Sequence, residues 1–207
     1  MKHKLLTTAL PAALAAAVVL AGCAPSDTSS TSGARASAAA GSGTSANNSK
    51  NAADIEFAKM MIPHHAQAIE MADLALKQAT DPTVKALAPK IKAAQAPEIS
   101  LMTRWLTGWG EAAPGTAGGH DMSGMGENTG GMMSAQEMTD LGKANGSAFD
   151  RMWLQMMIKH HEGAVEQART VLAKGLHPET KTLAQAIIDS QSAEIAEMNS
   201  ILAKIPT

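Results

Sequence analysis

Two adjacent histidines preceded by two adjacent methionines occur twice, as Met60-Met61-Ile62-Pro63-His64-His65 and Met156-Met157-Ile158-Lys159-His160-His161. On a helix, residues four apart share a face, so Met60 stacks with His64, Met61 with His65, Met156 with His160 and Met157 with His161. Thioether sulfur is soft and favours monovalent copper. Imidazole accepts copper in either oxidation state, and also zinc or nickel. A Met/His shell without cysteine therefore suits Cu(I) or Cu(II) outside the cytoplasm. Adjacent histidines differ by about 100° around the axis, so one of each pair is expected to face inward and the other to lie at the flank. Neutral imidazole competes with protons for the metal, so affinity is expected to fall below about pH 6.

The duplication extends well beyond these residues. At an offset of about 96 residues, Asp54 falls on Asp150, Glu70 on Glu166, Gln95 on Gln191, Glu98 on Glu194 and Met102 on Met198. From Met60 to Leu106 roughly two positions in five are identical, so one helical unit is used twice. Glu98 and Met102 lie four apart on the helix that returns beside the first, as do Glu194 and Met198. A short hairpin brings each such pair near its histidines, where the glutamates serve either as ligands or in a surface or capping role. Glu70 and Glu166 are candidates to hold a histidine in place from behind. The carboxylate-bridged di-iron centre of some helical bundles needs Glu-x-x-His on two helices. That motif does not occur in this chain, which ranks di-iron chemistry below copper.

A second set of donors lies between the repeats. Residues 107–146 include His120, Met122, Met125, Met132 and Met133 set among glycines. Spaced His and Met on flexible backbone can wrap a copper ion, at an ordering cost; the alternative is plain low-complexity sequence. Methionine is abundant at 14 residues, and adaptable core packing accounts for about half of them.

The elements that position these residues read as helices. Phe57, Met61, His65, Ala68 and Ala72 recur at three- and four-residue steps and mark one face of a helix from about Ala52 to Ala79. Pro63 is expected to kink it. Asp81-Pro82 opens a second helix reaching about Leu106. Ser134-Ala-Gln-Glu137 is a capping box for a short helix ending near Asn145-Gly146. A third long helix is expected from about Ser147 to Lys174 and a fourth from His177-Pro178 to about Lys204. The fold class is all-α: a four-helix up-and-down bundle over residues 52–207, with repeats at 52–106 and 147–204.

Ahead of the bundle, Lys2, His3 and Lys4 precede an apolar stretch from Leu10 to Leu20, too short for a comfortable membrane span. It ends in Leu20-Ala21-Gly22-Cys23, the pattern of a bacterial lipoprotein signal over residues 1–22 with lipidation at Cys23. Residues 23–51 are rich in Ser, Thr, Gly and Ala and read as a flexible tether. With a net charge of −2 and no basic run after the leader, nucleic acid is not an expected partner. The expected partners are a metal ion and, through Cys23, the extracytoplasmic face of a membrane.

The doubled Met-Met-Ile-x-His-His motif, with Asp54 and Asp150 upstream and Glu98-x-x-x-Met102 and Glu194-x-x-x-Met198 downstream, resembles the bacterial family known as domain of unknown function 305. The resemblance covers about Asp54 to Leu202. It implies a ferritin-like helical bundle, secreted or lipid-anchored, with copper binding and tolerance linked to some relatives. The reading that follows is an extracytoplasmic copper-binding lipoprotein that sequesters or transfers the ion. Its rivals are a metal-independent structural or interaction bundle and, last, a metal-dependent oxidase.

Overall fold

The computed structural model describes residues 49–115 and 130–206. The leader, Cys23, most of the tether and the linker residues His120, Met122 and Met125 lie outside the described residues. The described residues form five helices: α1 (Ala52–Gln78), α2 (Pro82–Gly108), α3 (Ala135–Lys143), α4 (Gly146–Lys174) and α5 (Pro178–Leu202). No strand occurs among the described residues. The chain is an all-α helical bundle.

Local chemistry sets the helix boundaries. Asn51 and Asp54 form a capping box at the start of α1, which satisfies backbone donors that the first turn leaves free. Asp81 accepts from the Thr83 and Val84 amides, ahead of Pro82. The Ser134–Glu137 box opens α3 as its sequence suggests. His177 caps α5 ahead of Pro178, its ring accepting from the Thr180 amide. α1 continues through Pro63, and α2 through Pro89 and Pro97, without a break.

α1 and α2 form one antiparallel hairpin, clasped near opposite ends by Lys59–Glu111 at 2.5 Å and Lys92–Asp73 at 2.6 Å. α4 and α5 form the other. The hairpins are joined by a reciprocal exchange of carboxylates. Asp54, near the start of α1, accepts from the Leu176 and His177 amides just beyond the end of α4. Asp150, near the start of α4, accepts from the Thr80 and Asp81 amides and the Thr80 hydroxyl just beyond the end of α1. α4 is thus antiparallel to α1 and parallel to α2. Alternation holds within each hairpin, whereas α4 begins at the end of the bundle opposite to the one where α2 finishes.

Two hydrophobic clusters fill the interior. One joins Ala68, Met71, Ala72 and Ala75 of α1 and Leu87, Ala88 and Ile91 of α2 to Phe149, Trp153, Leu154 and Met157 of α4 and Met198 and Ile201 of α5. The other joins Phe57, Ala58, Met61 and Ile62 of α1 and Met102, Trp105 and Leu106 of α2 to Ala164, Ala168 and Val171 of α4 and Leu183, Ala184 and Ile187 of α5. On every long helix, the stretch between its two contributions carries the polar residues: His64 and His65, Gln95 and Glu98, His160 and His161, Gln191 and Glu194. The bundle has two apolar halves and a polar waist.

Candidate metal centre

All four histidines of the doubled motif sit in this waist, each no more than 1% exposed. The expectation that one of each pair lies at the flank does not hold. α1 has neighbours on two sides, so a turn of about 100° between adjacent residues carries one ring to each neighbour. His64 faces α4, its ring centroid 3.7 Å from that of His160. His65 faces α2, its Nε2 lying 2.6 Å from Glu98 Oε2. In the second repeat, His161 Nε2 lies 2.8 Å from Glu194 Oε2.

The waist therefore holds a row of six groups: Glu98, His65, His64, His160, His161 and Glu194. Ring centroids within the pairs are 6.4 Å apart for His64–His65 and 6.3 Å apart for His160–His161. The outer carboxylates retain about a fifth of their side-chain exposure, while the His65 and His161 side chains between them have none. Glu98 and Glu194 thus each contact a buried histidine. Glu70 and Glu166, assigned that holding role from sequence, are exposed. Glu70 is five residues beyond His65, which places it about 140° away around the helix.

The hydrogen bonds fix which nitrogen is free. A carboxylate or a carbonyl only accepts, so Nε2 of His65 and His161 donates to glutamate, and Nε2 of His64 donates to the Gly130 carbonyl at 2.9 Å. In a neutral His64 ring, Nδ1 is then the nitrogen that carries the lone pair. Nδ1 of His64, His65 and His161, and both nitrogens of His160, are buried without a hydrogen-bond partner. The Gln95 amide and the Gln191 amide oxygen are also unpartnered. Their matching repeat positions and their place beside Glu98 and Glu194 are the signal sequence reasoning passed over.

Burial sets the charge state of the central pair. It pushes the His64 pKa from 6.5 down to about 3, with the neighbouring His65 acting in the same direction. His160 is lowered well below the usual imidazole value, first by burial and then by His64. Both rings are neutral near pH 7 and present lone pairs rather than positive charge. The fall in metal affinity expected below pH 6 from free imidazole accordingly moves to lower pH for these two.

Thioethers flank the row. Met61 and Met102 pack in one apolar cluster, Met157 and Met198 in the other, each one helical turn from a waist residue. Met60 and Met156 are half-buried. Among the described residues, no three His, Cys, Asp or Glu side chains are gathered into a metal-holding group. The donors fit a soft or borderline ion, since unprotonated, unpartnered imidazole nitrogens in an apolar setting carry a desolvation cost that coordination would remove.

Comparison with known proteins places the chain among relatives of known structure. Residues 54–202 match the family model described as "Domain of unknown function (DUF305)". A DUF305 protein of known structure from Streptomyces coelicolor is 33% identical, with a TM-score of 0.65, covering 77% of this chain and 95% of that one. CopM in its Cu(II)-bound form is 36% identical, with a TM-score of 0.62 over 72% of this chain and 95% of CopM. CopM in its Cu(I)-bound form is 35% identical, with a TM-score of 0.58 over 71% and 93%. A 53-residue stretch is 43% identical to the uncharacterized protein L153 of Acanthamoeba polyphaga mimivirus, of whose length this chain spans about a third (35%). With the family model spanning most of the chain and the repeated His-His motif at the centre of the fold, the protein belongs to the DUF305 family.

Proposed function

We propose that the protein binds copper at the waist of the bundle and acts as an extracytoplasmic, lipid-anchored copper sequestration or transfer protein. The observation that carries this reading is the His64–His160 contact, where neutral rings from the two repeats meet and three of their four nitrogens lack a hydrogen-bond partner. His64 and His160 would hold the ion, with His65 and His161 oriented by Glu98 and Glu194 and with buried thioethers on either side. Soft sulfur and imidazole together retain Cu(I) and accept Cu(II). The copper-bound CopM structures support the choice of metal.

The linker donors His120, Met122 and Met125 form a second, weaker copper site in this reading. Deleting residues 118–129, which removes His120, Met122 and Met125 and keeps the Gly130 and Met133 contacts, should lower copper stoichiometry with helicity retained. The waist is tested by copper titration of the full chain against His64→Gln/His160→Gln. Gln keeps hydrogen-bonding capacity at similar bulk. Loss of the tight equivalent in the variant, with its fold intact by circular dichroism, is the expected result. Retention of that equivalent would assign the histidines to the metal-independent structural role.

A further inference from the structure

The last residues of the linker before α3 lie across the waist. The Gly130 carbonyl accepts from His64 Nε2. Three residues after His64, the buried Gln67 grips Met133 twice. Its amide nitrogen donates to the Met133 carbonyl at 2.8 Å, and its amide oxygen accepts the Met133 N–H at 2.7 Å. The side chains of Met132 and Met133 are buried as well.

α4 is shaped to receive this segment. A Cβ on Gly163 would fall 1.7 Å from the Gly130 oxygen and 2.8 Å from the Gly131 Cα. A Cβ on Gly131 would fall 2.5 Å from the Lys159 carbonyl oxygen. Gly130 and Gly131 also adopt φ values of 52° and 84°, which glycine tolerates at least cost. Gly163 stands at the repeat position of Gln67. The histidines were duplicated unchanged, whereas these two positions have diverged, one into a clamp and the other into a seat. Duplication alone does not explain that asymmetry; a single segment that must be held on one side and accommodated on the other does.

Beside the segment, a pocket of about 250 Å³ opens between α1 and α4. Gly130 and Gly163 line it together with Glu56, Met60, Glu166 and Gln167. Met60 is one turn before His64, and Gly130, whose carbonyl accepts from His64, lines the pocket, so its wall reaches the central pair's nearest neighbours.

We propose that Gly130–Met133 is a releasable strap over His64 and His160, and that a cation reaches the waist from the α1/α4 pocket when the strap lifts. What passes beneath the strap rests on the copper reading; the strap itself is a property of the metal-free chain. Lifting it breaks the Gly130–His64 bond and both Gln67–Met133 bonds, and it frees His64 Nε2 toward Met60 and the two carboxylates. Access is then governed by a local opening equilibrium rather than by unfolding of the bundle.

The full chain tests this with Gly163→Ala, which unseats the strap, and Gln67→Leu, which removes the clamp at similar bulk. In metal-free protein, two readouts apply: hydrogen exchange at the Met133 amide, and carbethoxylation of His64 by diethyl pyrocarbonate, located by peptide mass spectrometry. Loss of two neutral hydrogen bonds should accelerate both by roughly tenfold or more. Cu(I) loading followed by stopped flow should quicken by a similar factor, with the final stoichiometry unchanged. Unchanged exchange and carbethoxylation in both variants would overturn the strap. Faster carbethoxylation with unchanged copper loading would overturn the access route. Wild-type protein that takes up no copper would sink the copper reading alone, because the two metal-free readouts still decide the strap.

Discussion

The burial of two rings makes the stability of this protein depend on acid. His64 has its pKa pushed down to about 3 and His160 well below normal, both mainly by burial. In the unfolded chain each ring takes up a proton near pH 6.5, while in the folded chain it stays neutral. The unfolded state therefore binds more protons between those values, and stability must rise with pH there. For His64 the loss on acidification from pH 6.5 to 4.5 is about 2–3 kcal/mol, and His160 acts in the same direction. Thermal melts of metal-free protein from pH 7 to 4.5 should show this slope, and His64→Gln/His160→Gln should flatten it. An equal slope in the variant would place the acid sensitivity elsewhere. At the rim of the row, Glu98→Ala leaves the buried His65 Nε2–H unpaired and should cost about 1–3 kcal/mol, whereas Glu98→Gln should cost less because an acceptor remains. Chemical denaturation resolves the two. The histidines, and the nearness of Glu98 and Glu194 to them, were legible from spacing; that these two glutamates rather than Glu70 and Glu166 contact the rings was not. Their complete burial was not, because a residue's position on one helix does not say how many neighbours that helix has.

At the scale of elements, the hairpins are held in register by carboxylates that cross between them. Asp54 and Asp150 are buried, and each accepts from backbone donors at the start of a helix in the other repeat. Asp150 satisfies the Thr80 and Asp81 amides and the Thr80 hydroxyl, so Asp150→Asn removes the charge that strengthens these bonds and turns one acceptor into a donor. The expected cost is about 3 kcal/mol, a drop in melting temperature of roughly 6–12 °C for a domain of this size. Differential scanning calorimetry checks it, and a shift under about 2 °C would contradict the structural role. Helix limits, the caps at Asp81, Ser134 and His177 and the duplication itself were readable because they depend on neighbours in sequence. The Gln67–Met133 clamp and the Asp54 and Asp150 exchanges join residues 66 or more positions apart. They depend on the crossover between hairpins, which hydrophobic periodicity does not encode.

For the whole molecule, a polar layer between two apolar clusters is costly unless its groups are paired or coordinated. Four of the six groups in the row are paired, as His65–Glu98 and His161–Glu194, and the central His64–His160 pair is where coordination would act. Anchoring is a separate matter. No helix among the described residues is long and apolar enough to cross a membrane, and membrane attachment is proposed to run through Cys23. Cys23→Ser should move the protein from the membrane to the soluble fraction on fractionation; unchanged sedimentation with membranes would rule this anchor out. The central claim is that copper binds the folded waist, and a ligand that binds only the folded state must raise its stability, by about 2.7 kcal/mol at a hundredfold excess over Kd. The most direct measurement is the melting temperature of wild type and of His64→Gln/His160→Gln, each with and without saturating Cu(I). The account expects a rise of several degrees in wild type and little or none in the variant. A wild type that gains no stability from copper, beside a variant that merely melts earlier, would contradict it.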